Sequence, residues 1–189
     1  EMSASLVGSE MCIRDSGYGM LETNRIDRSY NEAQCSLDTT AFPNGAENGT
    51  IVAVDKPAGT VKITGALKGI LGNSELIYDQ FHAGLKNYKV EAGKMASVYF
   101  LRDGDTFTTN TVCYEADTFT DDAGLATEIK NGGCYGKPNA DTGVIEINKT
   151  FSGSPFTVVK MTTMPDGQKA VKFLSLIHIS EPTRLALIS

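Results

Sequence analysis

The clearest hairpin in the sequence runs through Phe156-Thr-Val-Val-Lys-Met-Thr-Thr163, Met164-Pro-Asp-Gly167 and Gln168-Lys-Ala-Val-Lys-Phe173. A Pro-Asp-Gly turn between two runs rich in β-branched and apolar residues is typical of adjacent antiparallel strands. On the second arm Val171 and Phe173 point one way and Lys172 the other. The stretch therefore predicts a hairpin with one buried face.

Sequence signals for a hairpin and for a strand also occur nearer the N-terminus. Ile51-Val-Ala-Val54 and Val61-Lys-Ile63 flank the five-residue loop Asp55-Lys-Pro-Ala-Gly59, which predicts a second hairpin. Met95-Ala-Ser-Val-Tyr-Phe-Leu101 is the strongest strand signal, and because both of its faces are largely apolar we expect it to be central and covered on both sides.

Two more strands follow this central one. Arg102-Asp-Gly-Asp105 predicts a turn into the strand Thr106-Phe-Thr-Thr109, and Val144-Ile-Glu-Ile147 alternates so that Ile145 and Ile147 share a face. Helix signals are scarce: Ser74 is placed to cap a short turn, and residues 125–130 predict another. The predicted fold class is all-β, an antiparallel β-sandwich or small β-barrel with one or two short helical turns.

The two ends of the chain have an unusual relationship at the level of codons. Residues 6–16 can be encoded by an oligonucleotide whose reverse complement, translated in frame, encodes residues 174–184. No fold requires such an inverted repeat, and the string resembles a transposase-type sequencing-library adapter. We interpret residues 1–16 and 174–189 as non-native extensions, to be set aside as a fusion scar would be. We expect them to pack poorly.

The remainder, residues 17–173, suits a single β-rich domain. Setting the ends aside turns 23 acidic and 17 basic residues into 19 and 15, a mildly acidic balance. Scattered basic residues argue against nucleic-acid binding, and no apolar run reaches the ~20 residues needed to span a bilayer. Residues 21–34 are polar with little periodicity, and we expect a first short strand or an extended arm around residues 25–30. Residues 17–34 as a whole are interpreted as such an arm or as a frayed terminus.

The sequence does not predict an enzyme or a cofactor. His82 is the only histidine outside the ends, and no G-x-S-x-G motif or phosphate-binding loop accompanies it. A hydrolase working through His82 and nearby acids is the weakest hypothesis. A surface or half-buried histidine is the interpretation we favour, and we predict no catalytic, cofactor-binding or metal-binding residues.

We interpret the cysteines and the clustered acidic residues as structural rather than metal-binding. Cys35, Cys113 and Cys134 lack C-x-x-C spacing, so we predict ordinary free thiols, with a Cys113–Cys134 disulfide as the alternative. The acids around Asp103 and in residues 117–122 lack the pattern of a calcium loop and are predicted to form turns. The central aromatic residues are predicted to pack in the core rather than stack on a ligand; they are Tyr78, Phe81, Tyr88, Tyr99, Phe100 and Phe107.

An ordered series of short motifs carries a family resemblance over most of residues 24–107. The motifs are Asn24-Arg25-Ile26, Glu47-Asn-Gly-Thr-Ile-Val52, Leu76-Ile-Tyr-Asp79, Glu91-Ala-Gly-Lys94, Tyr99 with Leu101, and Gly104-Asp-Thr-Phe107. In order and spacing they resemble a group of small structural proteins encoded near the capsid genes of tailed bacteriophages. Residues 114–136 depart from that pattern.

The resemblance implies a virion structural protein, capsid-associated or of the head-decoration kind, that acts through protein–protein contacts. It implies capsid or other virion proteins as partners, a homo-oligomer, and a location in the virion or, during assembly, in the host cytoplasm. It carries no catalytic or binding residues. The alternative is a bacterial surface or secreted β-domain that binds a glycan or a receptor.

Overall fold

The computed structural model describes residues 10–13, 18–26, 32–74, 88–115, 118–119, 121–150 and 153–177. Within this part of the chain there are thirteen strands and one helix: β1 (Glu10–Cys12), β2 (Leu21–Arg25), β3 (Glu32–Leu37), β4 (Ile51–Asp55), β5 (Thr60–Lys62), β6 (Lys68–Leu71), β7 (Met95–Phe100), β8 (Thr106–Thr109), β9 (Val112–Glu115), α1 (Asp122–Asn131), β10 (Tyr135–Pro138), β11 (Ile145–Asn148), β12 (Phe156–Thr163) and β13 (Lys169–Ser175).

These strands form two sheets. One is an open sheet of eight strands in the order β1-β9-β11-β10-β12-β13-β8-β2, and the other is a closed five-stranded barrel in the order β3-β5-β4-β6-β7. Each sheet contains one parallel pair, β9 with β11 and β3 with β5, and the remaining pairs are antiparallel. The protein is therefore all-β with one short helix, as predicted, although not purely antiparallel.

The barrel is inserted into the open sheet. Strand β2 precedes the barrel in the chain but pairs with β8, which follows the barrel. The two sheets meet where the chain enters β4 and where it passes between β8 and β9. A main-chain hydrogen bond from Ile51 N to Gly143 O at 2.8 Å crosses this junction, and one from Gly49 N to Leu71 O at 2.8 Å extends the β4–β6 pairing on the barrel side.

Each sheet has its own apolar core. Leu37, Val52, Val61, Leu71 and Val98 lie at 1% exposure or less inside the barrel. The core of the open sheet centres on three aromatic rings: Phe107 stacks on Phe173 and meets Phe156 edge-on, with both pairs of ring centroids 5.4 Å apart. Such ring pairs add to the stabilisation that burial of their area provides.

The two cores also touch. Ile51 and Ile70 belong to barrel strands but are buried in the cluster of the open sheet, and Tyr99 packs against the same cluster. Side chains alternate across a strand, so β4 and β6 fill the barrel with one set of residues and contact the open sheet with the other. This explains why the strand Ile51–Asp55 is buried along almost its whole length.

The predicted hairpins are confirmed. Strand β12 pairs with β13 around residues 164–167, with Val171 and Phe173 fully buried and Lys172 partly exposed. Strand β4 pairs with β5, and Asp55 lies opposite Thr60. Ile145 and Ile147 share a buried face, as the alternation predicted.

The prediction that the Met95 strand is covered on both faces is wrong in part. Strand β7 is central, since β3 and β6 flank it. Its inward residues Ala96 and Val98 are fully buried, but Met95 on the outer face is 55% exposed. In a barrel only one face of a strand meets the core, and here the outer face is covered only near Tyr99, where the open sheet packs.

The predicted helical turn at residues 125–130 lies within α1. The helix begins earlier, because the Asp121 side chain accepts a hydrogen bond from Gly124 N at 2.7 Å and caps its N-terminus. Leu125 and Ile129, one turn apart, are buried against the open sheet. The helical turn predicted after Ser74 falls in residues outside the described part of the chain.

Residues 21–25 and 32–37 lie in strands of the two sheets, so neither stretch is a separate arm or a frayed terminus. The strand predicted near residues 25–30 reaches only Arg25, and residues 27–31 lie outside the described residues. Glu32 opens β3 opposite Tyr99 in the barrel. The polar composition of residues 21–25 and 32–37 is that of strands that are half-exposed and have few inward-facing side chains.

The expectation that both chain ends pack poorly is wrong where the structure describes them. Strand β1 pairs with β9, and Ile13 is buried at 2% exposure. Strand β13 continues to Ser175, which lies on the buried face with Val171 and Phe173. Both segments carry apolar residues at a spacing that fits an existing sheet, and that spacing is sufficient for strand pairing.

Candidate interaction surface

The two edges of the open sheet are the first candidate surface. Strand β2 forms one edge and, in the described part of the chain, pairs only with β8. A register shift between Glu22 and Arg25 marks a bulge, and Asn24 and Arg25 are exposed. Native sheets often restrict unwanted pairing at an edge with bulges and charges of this kind.

The opposite edge is formed by β1, which pairs with β9. The antiparallel register places Glu10 opposite Glu115, Met11 opposite Tyr114 and Cys12 opposite Cys113. Ile13 N then donates to Val112 O at 3.1 Å. Val112 and Tyr114 are both 1% exposed, so this edge belongs to the most deeply buried part of the sheet.

Cys113 is bonded to Cys12 across this edge, which corrects two sequence predictions. Cys113 is not a free thiol, and its partner is not Cys134. The register of β1 against β9 sets the two cysteines directly opposite each other, whereas Cys134 lies beyond α1, just before β10. Spacing in the sequence could not identify this pair because it depends on a long-range register.

Cys134 and Cys35 are free thiols, as predicted. Cys134 is 2% exposed, and burial raises the pKa of its thiol, with a smaller contribution from the negative charge of Glu128. A raised pKa lowers the thiolate fraction, so Cys134 has the character of an inert core residue. Cys35 lies half-buried in β3.

The acids near Asp103 form a turn, as predicted, whereas Asp121 caps α1, which the sequence did not predict. Asp105 accepts a hydrogen bond from Arg102 N at 2.7 Å and closes the turn before β8. Asp122 accepts from the Tyr114 hydroxyl at 2.8 Å and pairs with Lys169. Among the described residues no group of three or more His, Cys, Asp or Glu side chains is placed to hold a metal ion.

A groove of about 560 Å³ lies outside the barrel, along β4, the loop after it and the residues before β6. Two of its three charged residues form an ion pair: Lys62 Nζ lies 2.9 Å from Asp55 Oδ2, and this hydrogen bond lowers the pKa of Asp55 and raises that of Lys62. Lys56 lies over the Phe100 ring at 5.9 Å. The groove offers small residues and a neutral ion pair to a ligand.

Large apolar side chains are exposed at three separate places rather than as a patch. Among the described residues these are Met95 at 55%, Val159 at 47% and Leu176 at 43%. Single exposed apolar residues are normal on protein surfaces. The candidate surface is therefore defined by strand edges and not by an apolar patch.

Several residues singled out in the sequence are not described by the structure. His82, Tyr78 and Phe81 lie in residues 75–87, so the histidine stays a sequence prediction. Core packing is confirmed for Phe107, which is fully buried, for Phe100 at 9% exposure, and for Tyr99, which packs against the core of the open sheet. It is wrong for Tyr88, which is half-buried and donates its hydroxyl to Ser74 O at 2.9 Å. Sequence reasoning missed the pairing of β1 with β9 because the apolar run from Val112 to Tyr114 is too short to indicate a partner strand.

No family model matches this chain, and no curated protein and no solved structure matches it either. Across the described residues, the helix found is too short and too polar to cross a membrane.

Proposed function

We propose that the protein is a structural component of a bacteriophage virion, capsid-associated or of the head-decoration kind, that acts by protein–protein contacts. The observation that carries the proposal is the open sheet, whose end strands within the described residues are β2 and β1. The bulge and charges of β2 restrict pairing to a partner that matches them, and β9 already pairs with an added strand, β1. Edges of this kind let one protein extend its sheet into another.

The barrel supports the proposal because it fixes the sheet edges in place. A protein that binds a shell at many equivalent positions benefits from edges whose geometry does not vary from copy to copy. Here the barrel and the open sheet share apolar contacts through Ile51, Ile70 and Tyr99. The hydrogen bond from Ile51 N to Gly143 O adds a polar attachment between them. The ordered motifs from Asn24 to Phe107 support the same class of protein.

Mass spectrometry of virions purified from the phage that encodes residues 17–173 tests the proposal. The protein is expected in intact particles at a copy number comparable with that of other shell components. Its absence from purified particles would end the proposal. The genes flanking the coding sequence give an independent check, because portal, capsid or tail genes are expected beside it.

The β2 edge can be tested with two charge reversals. Arg25→Glu changes the exposed end of β2, and Lys160→Glu changes an exposed residue in the middle of the sheet on β12. Co-sedimentation with shells of the same phage is expected to weaken about tenfold or more for Arg25→Glu, since a charge at an interface acts on association. Co-sedimentation with the shells is expected to stay unchanged for Lys160→Glu, the matched control. Equal binding by both variants would exclude the β2 edge as the contact.

The groove beside β4 favours a second candidate, a surface or secreted β-domain that binds a glycan or a receptor. Its volume of about 560 Å³ lies within the range of small-ligand sites. Thr64, Asp55 and Lys62 supply hydroxyl, carboxylate and ammonium groups for sugar hydroxyls. Binding on a glycan array, lost in Lys62→Ala and retained in Lys160→Ala, would favour this candidate over the virion protein.

A further inference from the structure

The chain between β5 and β6 forms a strap, residues 63–67, across the outer face of β4. It crosses this strand because β5 and β6 pair with opposite sides of β4. A hydrogen bond from Val54 N to Leu67 O at 2.9 Å anchors the end of the strap. The strap runs so close to β4 that a Cβ at residue 65 would lie 2.9 Å from the Cβ of Ala53. The groove of about 560 Å³ therefore has the strap as one wall and the loop after β4 as the other.

The groove and its margin carry an excess of positive charge. Lys62 and Lys68 lie opposite Ala53 on its two neighbouring strands, so their side chains leave the same face of the barrel. Of the described residues that line the groove, Asp55 alone carries a carboxylate, and it is paired with Lys62. Lys56 and Lys68 are exposed, and within the described part of the chain neither has a carboxylate at ion-pair distance. The site therefore favours a ligand that brings a negative charge.

The ion pair inside the groove has hydrogen-bonding capacity left for a ligand. Asp55 Oδ1 accepts from Ala58 N at 3.2 Å, and Asp55 Oδ2 accepts from Lys62 Nζ at 2.9 Å. An ionised carboxylate has about four acceptor positions, and a lysine ammonium has three donors. Asp55 can thus accept further hydrogen bonds while Lys62 donates others. Hydroxyl groups match both partners, because a hydroxyl donates and accepts.

The remaining lining of the groove matches the shape of a sugar ring. Its apolar atoms come from small or compact side chains, those of Ala53, Pro57, Ala66 and Leu67. Thr64 adds an exposed hydroxyl on the strap. A sugar ring presents C–H groups on its faces and hydroxyls around its rim, so it can lie on the apolar atoms while its rim meets the polar groups. Ligand sites in proteins combine apolar walls with a few placed polar groups in the same way.

We propose that this groove binds a hexuronic acid residue of an acidic polysaccharide. The hydroxyls of the sugar exchange hydrogen bonds with Asp55 and Lys62, and its carboxylate pairs with Lys56. A neutral sugar would leave Lys56 without a partner, and a ligand made only of negative groups would be repelled by Asp55. The inference deepens the second candidate function, the glycan-binding domain, and rests on it, since it names the chemical class of the sugar.

The test titrates the full chain with short oligouronates. Tetramers of galacturonic, mannuronic and guluronic acid are the probes, and the methyl ester of each tetramer, which keeps the rings and removes the charge, is its control. Isothermal titration calorimetry is expected to show binding of at least one acid. Esterification should weaken that binding about tenfold or more, the effect of losing one charge-assisted hydrogen bond. Added salt should weaken the binding of the acid as well, because it screens exposed charges.

Three substitutions locate the site. Lys56→Gln removes the charge that meets the carboxylate and should weaken binding of the acid about tenfold. Ala66→Tyr keeps every charge but fills the groove and should abolish binding. Lys160→Gln, at an exposed lysine of the open sheet, is the matched control and should bind as the parent chain does. Circular dichroism and the unfolding midpoint verify that each variant is folded; if Ala66→Tyr is not, Lys56→Gln against Lys160→Gln decides.

Equal binding of a tetramer and its methyl ester overturns the inference and leaves a site for neutral sugars, so the glycan-binding candidate stands. Failure of all three acids to bind overturns the inference, and the glycan array then decides on that candidate. Displacement of the tetramer by an equal concentration of inorganic phosphate would reveal an unselective anion site, which also overturns it. Presence or absence of the protein in purified virions bears on the virion proposal and leaves this inference untouched.

Discussion

Thr111 Oγ1 donates a hydrogen bond to the main-chain oxygen of Asn48 at 2.5 Å, and both residues are buried. This bond crosses from the open sheet to the barrel. Asn48 continues the network, because its side chain accepts from Asn73 N at 2.8 Å and donates to Asn73 O at 2.9 Å. The junction is therefore a satisfied polar network between two apolar cores, which fixes one orientation of barrel and sheet.

Replacing Thr111 with Val should destabilise the protein by about 1–3 kcal/mol, because the buried carbonyl of Asn48 loses its donor while the side-chain volume is kept. The free energy of unfolding in urea measures the change. Thr163→Val, at an exposed position of β12, is the control and should shift the midpoint little. Equal effects of the two substitutions would mean that the junction bond adds nothing to stability.

Gly143→Ala should be more destabilising than Gly104→Ala. Both glycines have positive φ, 74° and 85°, so the two substitutions share the same backbone strain. A Cβ at residue 143 would lie 2.3 Å from Ile51 O, whereas a Cβ at residue 104 meets no atom within 4 Å. The extra cost at residue 143 should be about 1–3 kcal/mol by thermal or urea unfolding, as for other overpacked sites. Similar losses at the two positions would contradict the close approach of barrel and sheet there.

The stability contributed by Asp55 should disappear in acid. The hydrogen bond from Lys62, and then that from Ala58 N, hold the pKa of Asp55 below its ordinary value of 3.8. A carboxyl whose pKa is lower in the folded state stabilises the fold above its unfolded pKa and loses that contribution as the pH falls through the folded pKa.

Asp55→Asn should therefore lower the unfolding midpoint at neutral pH, and the difference from the parent should shrink to nothing towards pH ~2. Asp141→Asn, an exposed acid in the turn before β11, is the control. A difference for Asp55→Asn that stays constant down to the most acid pH would show that the carboxylate charge plays no part.

Cys35 should react with a thiol reagent much faster than Cys134 in the folded protein. Cys134 is 2% exposed and its thiol pKa is raised by burial, while Cys35 is half-buried in a barrel strand. Reaction rates with an aromatic disulfide at mildly alkaline pH, measured in Cys35→Ser and Cys134→Ser, separate the two thiols. Both should react at similar rates once the chain is unfolded in urea. Rapid labelling of Cys134 in the folded state would contradict its burial.

The sequence predicted strands where local signals agree. The Pro-Asp-Gly turn and the alternation around Val171 and Phe173 suffice to place the β12–β13 hairpin, because a tight turn fixes the register of its own two strands. The helix was predicted from Leu125 onward but not its cap, since an aspartate in an acidic stretch is ambiguous between a loop residue and an N-cap.

Long-range pairing could not be predicted in the same way. The pairing of β2 with β8 joins residues more than eighty positions apart, and the parallel pairing of β3 with β5 leaves no turn signal to mark it. The partner of Cys113 depends on such a register. A strand at the edge of a sheet has the same local sequence pattern as one inside it, which is why the β1 edge was missed.

The insertion of the barrel between β2 and β8 sets an order of events during synthesis on the ribosome. All five barrel strands are complete by Phe100, before Thr106 begins the long run of sheet strands. Chains fold domain by domain as they emerge from the ribosome. The barrel of a growing chain is therefore complete before β8, the partner strand of β2, has been synthesised. The barrel becomes the template on which the later strands assemble, with Ile51 and Ile70 already presented to receive them.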